Sequence, residues 1–319
     1  HEWGIDHAPS IDINSIEKIS LIKGAGALKY GGSALGGVII SETLKTKLID
    51  SLYGKLYSSA STNGKGGTIT TDITKTNSKG WYTRLQGTFK RFGDYNTSNY
   101  IMSNTGLSER NFSLKTGLNR VDYGFEVYYS FFNNETGILR ASHLISAQDI
   151  FRGITSGIPL IIEDFTYDIS APKQKIKHNL AKFNFFKTTD LGKFNFQYDF
   201  QSNKRQEFDI RRGDVRNTPS IDLELTTHSL SLDFDSRFSN NLNLNIGIVG
   251  KYQKNFPDPE TGVRRIIPDY EKYDLGIYSI FDYELNPKWI LEGGIRYDYI
   301  YMDVYKYYKT SFWESRDYG

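Results

Sequence analysis

The opening twelve residues, His1-Glu-Trp-Gly-Ile-Asp-His-Ala-Pro-Ser-Ile-Asp12, bring two imidazoles and three carboxylates close together. Imidazole nitrogen and carboxylate oxygen are ligands that a divalent transition metal such as zinc accepts. His7 is the first candidate, with Asp6, Glu2 and the distant His143 as possible partners. The competing reading is an Asp-His pair that only hydrogen-bonds the turn at Pro9. A second set is basic: Arg211, Arg212 and Arg216, followed by Arg264 and Arg265 in a later segment. Guanidinium forks match carboxylates and phosphates with paired hydrogen bonds. That set suits an anionic ligand, or it balances acidic neighbours.

A third feature is rich in glycine. Gly24, Gly26, Gly31, Gly32, Gly36 and Gly37 follow the alternating segment Ile16–Lys23, an order also found where a strand enters a phosphate-binding loop. Gly24-Ala-Gly26 lacks the third glycine of G-x-G-x-x-G, and no G-x-x-x-x-G-K-[ST] is present. Nor does a helix with a parallel sheet follow, as a dinucleotide fold requires. Nucleotide binding is therefore set aside. The histidines at 1, 7, 143, 178 and 228 are scattered, and no Ser/His/Asp or paired-carboxylate spacing stands out. The chain is read as not an enzyme, with a barrel protease or lipase as the enzymatic alternative.

Bulk properties narrow the class. Lys and Arg number 39 against 37 Asp and Glu, a net charge of +2, so no global field attracts nucleic acid. Cysteine is absent, which removes disulfide scaffolds and thiolate metal sites. Aromatics reach 15 %, yet hydrophobic residues are only 38 % and the mean hydropathy is -0.49. No apolar run approaches the roughly 18 to 20 residues of a membrane-spanning helix. A soluble β protein or a transmembrane β-barrel fits, since a closed barrel hides apolar residues on alternate positions of a hydrophilic-looking chain.

From about residue 50 the period is two. Phe194, Phe196, Tyr198 and Phe200 alternate with Lys193, Asn195, Gln197 and Asp199, and Leu242, Leu244, Ile246 and Ile248 oppose Asn241, Asn243 and Asn245. Such spacing makes strands with one apolar face and one wet face. Eleven strands are expected near 50–60, 67–76, 80–92, 111–119, 122–133, 177–187, 191–203, 225–236, 241–254, 272–284 and 288–304. Many exceed the usual strand length of about 5 to 6 residues and match the 9 to 11 that cross a bilayer at a tilt. Every second connection is short, and long ones fall near 93–110, 134–176, 204–224 and 255–271. Only 61–66 is short where a long one is due. That asymmetry is the mark of an outer-membrane barrel, with short periplasmic turns and long extracellular loops. Within the longest loop, Ser146 is expected to start a short amphipathic helix. A sandwich or propeller is the soluble alternative, and the chain shows no repeat of the length a blade needs.

The run Ile16-Glu-Lys-Ile-Ser-Leu-Ile-Lys-Gly-Ala-Gly-Ala-Leu-Lys-Tyr-Gly-Gly-Ser-Ala-Leu-Gly-Gly-Val-Ile39 resembles the end of the plug domain of TonB-dependent outer-membrane receptors. In that pattern a strand of Glu-Arg-Ile-Glu-Val type leads through Arg/Lys-Gly-Pro and a small-residue segment to Leu-Tyr-Gly and a Gly-Gly-Val-Ile-Asn strand. Ala25 stands where Pro is common, Ser20 where Glu is usual, and Lys29 where an apolar residue is frequent. The resemblance implies an all-β fold: residues 1–45 are the end of a plug, and 46–319 the N-terminal half of a 22-stranded barrel. It implies that Lys18 and Lys23 pair with carboxylates on the inner wall, and that Gly24, Gly31, Gly36 and Gly37 let the backbone approach it. The eleven-strand count and the lack of a starting Met or leader suggest a fragment or processed product, without the TonB-contacting segment.

The function so implied is active uptake, driven by the TonB system, of a scarce metal or metal chelate such as zinc, a ferric siderophore or haem. The site would be in the outer membrane of a Gram-negative bacterium. No cofactor is required, and a metal or chelate would be bound only as substrate. Asp6-His7-Ala8 with a later Asp also resembles the plug of zinc-uptake members. The arginines then suit an anionic siderophore or haem propionates, or equally lipopolysaccharide phosphates in the surrounding lipid. The alternative function is a passive or structural barrel, a porin or adhesin, which has no need of an internal plug.

Overall fold

The computed structural model describes residues 10–32, 36–42, 49–142, 146–265, 267–309 and 315–318. Its first part is a hairpin of β1 (Lys18–Ile22) and β2 (Val38–Glu42), paired from Lys18↔Glu42 to Ile22↔Val38. Between them Gly24–Tyr30 winds as a 3-10 helix. The chain then forms a long meander. It begins with β3 (Ser51–Ser61), β4 (Gly66–Thr76) and β5 (Trp81–Phe92), followed by a small hairpin of β6 (Tyr95–Asn96) and β7 (Ile101–Met102). It continues through β8 (Leu107–Asn119), β9 (Tyr123–Gly137), β10 (Lys173–Thr189), β11 (Gly192–Phe208) and β12 (Ile221–Ser239). Last come β13 (Leu242–Pro257), β14 (Asp269–Asn286), β15 (Trp289–Lys309) and β16 (Ser315–Tyr318). All except the hairpins β1–β2 and β6–β7 join one antiparallel sheet of a partial barrel, in unbroken chain order.

The eleven strands expected from the sequence are the eleven long ones, β3 to β5 and β8 to β15. Connections 77–80, 120–122, 190–191, 240–241 and 287–288 gather at one end. Connections 93–106, 138–172, 209–220 and 258–268 gather at the other, and the short 62–65 joins them. The strands extend further toward the loop end than alternation indicated: β9 reaches Gly137 and β11 reaches Phe208.

The hairpin segment defines which face of the sheet is inside. Gln86 donates to the Asp12 carboxylate at 2.8 Å, and Asn203 donates to the Ser10 hydroxyl at 3.1 Å. Asp233 accepts from Lys29 at 2.6 Å. Side chains alternate along a strand, so these residues fix the parity of every neighbour. The inward set is polar and cross-linked: Thr70 to Thr88 at 3.1 Å, Ser113 to Gln86 at 3.0 Å, Gln253 to Thr227 at 3.0 Å, and Lys115 to Glu126 at 2.8 Å. Arg84 and Asp72 form a further inward pair.

The outward set is apolar. Ile73, Leu85, Phe112, Val127, Phe185, Leu232, Ile248, Ile277 and Ile295 are exposed, from 40 % at Phe185 to 73 % at Ile295. A contiguous patch this large does not suit water and matches a hydrocarbon layer. At its loop-side border an aromatic row crosses five strands in register: Phe200, His228, Tyr252, Tyr273 and Tyr301. Successive ring centroids are 5.0, 6.1, 4.9 and 6.3 Å apart. At the turn-side border Trp81 meets Phe125 edge-on at 5.6 Å. Rings with one apolar and one wet side favour such borders.

In loop 138–172 the expected helix runs Ala147–Ser156, and Ser146 accepts from the Asp149 amide at 3.1 Å as its cap. The rest of the loop folds back along the rim. Glu163 donates its amide to Ser103 at 2.7 Å, and the Tyr167 hydroxyl donates to the Lys65 carbonyl at 2.6 Å.

Candidate functional site

The 3-10 segment Gly24–Tyr30 lies against the inner wall of β12, β14 and β15. Lys29 meets Asp233, whose side chain is only 6 % exposed. The Gly26 amide donates to Glu292 at 2.8 Å, and Arg296 donates to the Leu28 carbonyl at 2.8 Å while gripping Asp298. Two ion pairs, Lys29–Asp233 and Arg296–Asp298, thus flank a carboxylate held by a backbone amide. Burial, chiefly, holds the Tyr30 phenol above its ordinary pKa; nearby Lys29 opposes this, while Asp233 and Glu42 add to it. Tyr30 thus stays a neutral hydroxyl beside that pair.

The expected wall contacts redistribute. Lys18 pairs with Glu42 of its own hairpin at 3.4 Å, both side chains well exposed, and not with the wall. The register places those two residues directly opposite, so the nearer carboxylate captures the ammonium. Lys23 is exposed and makes no ion pair among the described residues. A Cβ on Gly24 would touch Glu292 at an ordinary 3.6 Å, and Gly31 sits at φ 142°. At Gly36 a Cβ would meet nothing within 4 Å, and at Gly37 (φ +109°) it would strike the Ile22 carbonyl at 2.7 Å. Gly37 therefore closes the hairpin and does not approach the wall. The close approach belongs to Gly32, where a Cβ would lie 2.6 Å from Asp298. Sequence reasoning noted Lys29 only as a departure from the plug pattern. That departure was the available signal for its ion pair.

Ahead of β1, a turn capped by Asp12, which accepts from the Asn14 amide at 2.9 Å, presents Ser10 to the wall. The Ser10 carbonyl lies 2.8 Å from His178 Nδ1. Glu2, Asp6, His7 and His143 lie outside the described residues, and among the described residues no group of three metal-ligating side chains forms. His178 is the imidazole that sequence reasoning passed over; its inward parity on β10, opposite Phe132 and Asn203, is what singles it out.

Two cavities flank these contacts. One of about 670 Å3 adjoins Lys29 and Tyr30 on the inner wall, with Tyr82, Glu126, Asp199 and Lys251 as polar lining. The other, about 830 Å3, lies at the loop rim, where Arg140, Lys173, Lys175, Arg212 and Arg216 face Glu163. The five expected arginines separate there. Arg211 lines the rim cavity but is spent on carbonyls, donating to Thr261 at 2.9 Å and Pro219 at 3.3 Å, and so ties two loops together. Arg212 and Arg216 are exposed at the cavity. Arg265 pairs with Asp269 at 2.7 Å, and neither it nor Arg264 is among the lining residues. Lys173, Lys175 and Phe208 have outward parity, so this cavity opens along the outer flank of the wall rather than over the lumen.

An internal hairpin strapped to the polar face of a sheet whose other face is apolar has counterparts among solved structures. The siderophore receptor PiuA from Acinetobacter baumannii superposes with a TM-score of 0.68 at 16 % identity, over 95 % of this chain and 50 % of that one. This is the fold of half a TonB-dependent receptor. The copper transporter OprC gives a TM-score of 0.66 at 16 % identity, over 93 % and 44 % of the two chains. The FrpB iron transporter from Neisseria meningitidis gives 0.66 at 16 %, over 95 % and 48 %. The chain spans about half the length of the structures it matches. No protein-family model and no curated protein matches it. The hairpin of β1 and β2 stands apart from the wall sheet, which is built of β3 to β5 and β8 to β16.

Proposed function

We propose that the protein carrying this chain is an outer-membrane, TonB-dependent receptor for active uptake of a scarce metal or metal chelate. The observation that carries this reading is the plug end latched to the inner wall through Lys29–Asp233, Gly26–Glu292 and Leu28–Arg296. A passive pore gains nothing from a folded segment held in its lumen, whereas an energised importer needs one to displace. The apolar outer face supports placement in a membrane, and the similar structures, a siderophore receptor, a copper transporter and an iron transporter, support the substrate class. Glu2, Asp6 and His7 are proposed to meet the substrate. Inward His178 meets the Ser10 carbonyl at 2.8 Å. The deciding experiment measures uptake by cells expressing the full-length protein, with and without a working TonB system. Equal uptake in both would sink the importer reading in favour of a passive or structural barrel. Growth of a deletion strain on limiting zinc, haem, cobalamin or ferric siderophore, each alone, then identifies the cargo.

A further inference from the structure

We propose that the plug end pivots during transport: its upper contact with the wall opens while its lower, ionic contact stays shut, and the wall between the two becomes the solute's way past it. The proposal rests on the importer reading above. The two contacts stand at different heights. On β11 the upper one is at Asn203, whereas Asn195, directly opposite Asp233, marks the level of the lower one. From 195 to 203 is eight residues, so at about 3.3 Å each the contacts lie roughly 26 Å apart along the strand.

Their chemistry differs. In the upper contact Asn203 donates to the Ser10 hydroxyl at 3.1 Å, Gln86 donates to the Asp12 carboxylate at 2.8 Å, and His178 Nδ1 stands 2.8 Å from the Ser10 carbonyl. Asp12 is its one carboxylate, and that group faces an amide. The contact is also incompletely satisfied, because Asn203 is 3 % exposed and its Oδ1 has no hydrogen-bond partner among the described residues. A buried acceptor left without a partner lowers what such a contact is worth. The lower contact joins full charges. Lys29 reaches Asp233 at 2.6 Å, Arg296 holds the Leu28 carbonyl at 2.8 Å while Asp298 braces it at 2.6 Å, and Glu292 takes the Gly26 amide at 2.8 Å. Charge-assisted bonds are about twice as strong as neutral ones. A force applied to the chain ahead of Ser10 therefore opens the upper contact first.

The joints for a pivot are in place. Gly24, at φ 73°, opens the latched 3-10 segment, and Gly31, at φ 142°, leads out of it. Both conformations favour glycine, whose backbone rotates without a side chain in the way. The hairpin of β1 and β2 adds no ionic anchor of its own: Lys18 is spent on Glu42, and Lys23 makes no ion pair among the described residues.

Between the two levels the wall suits a polar solute. Gln197 and Asp199 of β11, with Glu126, Asn184, Ser231 and Lys251 of neighbouring strands, line the cavity of about 670 Å3 beside Tyr30. A volume of that order admits a compact ligand. The mixture of acid, base and amide selects a hydrophilic one, a hydrated metal ion or a small polar chelate. Ser10 and Asp12 stand on the loop side of this cavity, so moving them opens it toward the loops.

The test reads which contact opens. The chain has no cysteine, so a single thiol, introduced into the full-length protein cleared of any other, reports on one place. Asn203→Cys and Gln86→Cys lie at the upper contact, where the native residues are 3 % and 2 % exposed, and Ala27→Cys lies in the latched segment, at 2 %. Each variant is labelled with a water-soluble maleimide in cells with and without a working TonB system, supplied with zinc, haem, cobalamin and ferric siderophore together. A working TonB system should speed labelling of Asn203→Cys and Gln86→Cys by about tenfold and that of Ala27→Cys by less than about twofold, since the rate follows the open population. Weakening the latch with Asp233→Asn should bring Ala27→Cys up to the rate of the other two. Retention of the heat-resistant barrel on gels confirms folding of each variant. Faster labelling of Ala27→Cys than of the upper positions overturns the pivot, as does a rise of equal size at all three with the latch intact. Uptake of the same four nutrients separates the two readings. Uptake that ignores TonB defeats the importer reading, whereas TonB-dependent uptake without TonB-dependent labelling at the upper contact defeats this one.

Discussion

On β14, Tyr278 faces the lumen at 3 % exposure while its neighbour Ile277 faces outward at 52 %. The same contrast separates Asp233 and Leu232 on β12, at 8 % and 48 %. Inside, polar groups are covered and find partners; outside, apolar groups are bare. A soluble sheet would reverse this, because water rewards burying Ile277 and solvating Asp233. The wall is therefore held by two different mechanisms. Hydrogen bonds and ion pairs organise the lumen, while lipid contact stabilises the belt. Substitutions that look alike should then have unlike consequences on the two faces.

The largest effect is expected for Ile277→Lys, which places an ammonium in the belt at a cost of about 2–4 kcal/mol near the bilayer midplane. Lysine in place of the inward Ser231 should cost far less. Urea titrations of the full-length protein in vesicles measure both, and equal costs would break the contrast. Next comes Asp233→Ala, which strands Lys29 beside the wall. About 1–3 kcal/mol is expected, at the lower end because Lys29 is about one-third exposed. Removing both charges, as Lys29→Met with Asp233→Leu, should recover most of it, and the coupling energy of that cycle is the measurement. At the aromatic border, Tyr273→Ala removes rings from contact with Tyr252 and Tyr301 and is expected to cost roughly 0.5–1.5 kcal/mol. Its loss should shrink in detergent, where the border has no fixed height. The smallest effect concerns Asp50, outside the spanning strands, whose carboxyl is held below its ordinary pKa by the Ser78 hydroxyl and amide, with Lys75 and Lys79 assisting. A lowered folded pKa contributes stability above the unfolded value, and that contribution fades as pH falls through the folded one. Ser78→Ala should raise the acid midpoint of Asp50 in an NMR titration while stability at neutral pH barely changes.

Much of the wall was legible because alternation of Phe, Ile and Leu with Asn, Lys and Asp records the contrast between lipid and lumen. That is also why the loop-side ends were read short. Above the belt both faces are wet, so Glu135, Lys175 and Gln206 erase the alternation while the hydrogen-bonded ladder continues. Ser146 as a helix cap was legible from local chemistry alone. The plug contacts were less so. Whether Lys18 reaches the wall or Glu42 depends on a register that pairs residues more than twenty apart, and Asp233 or Arg296 as partners of residues 28 and 29 depends on tertiary placement. The arginine set divides for the same reason. Nothing in the spacing of Arg211, Arg212 and Arg216 tells which one will be consumed by the carbonyls of Pro219 and Thr261, or on which side of the wall the others will open.

Every wall strand pairs only with the wall strands before and after it in the chain, and six of the hairpins are closed by connections of two to four residues. Each new strand thus inherits its alignment from the one just laid down, at little loop-closure cost. Such a wall can enter a bilayer hairpin by hairpin, in the order of synthesis. The errors to which it is prone are slips of a single pair, which would turn the row of lipid-facing side chains toward the lumen.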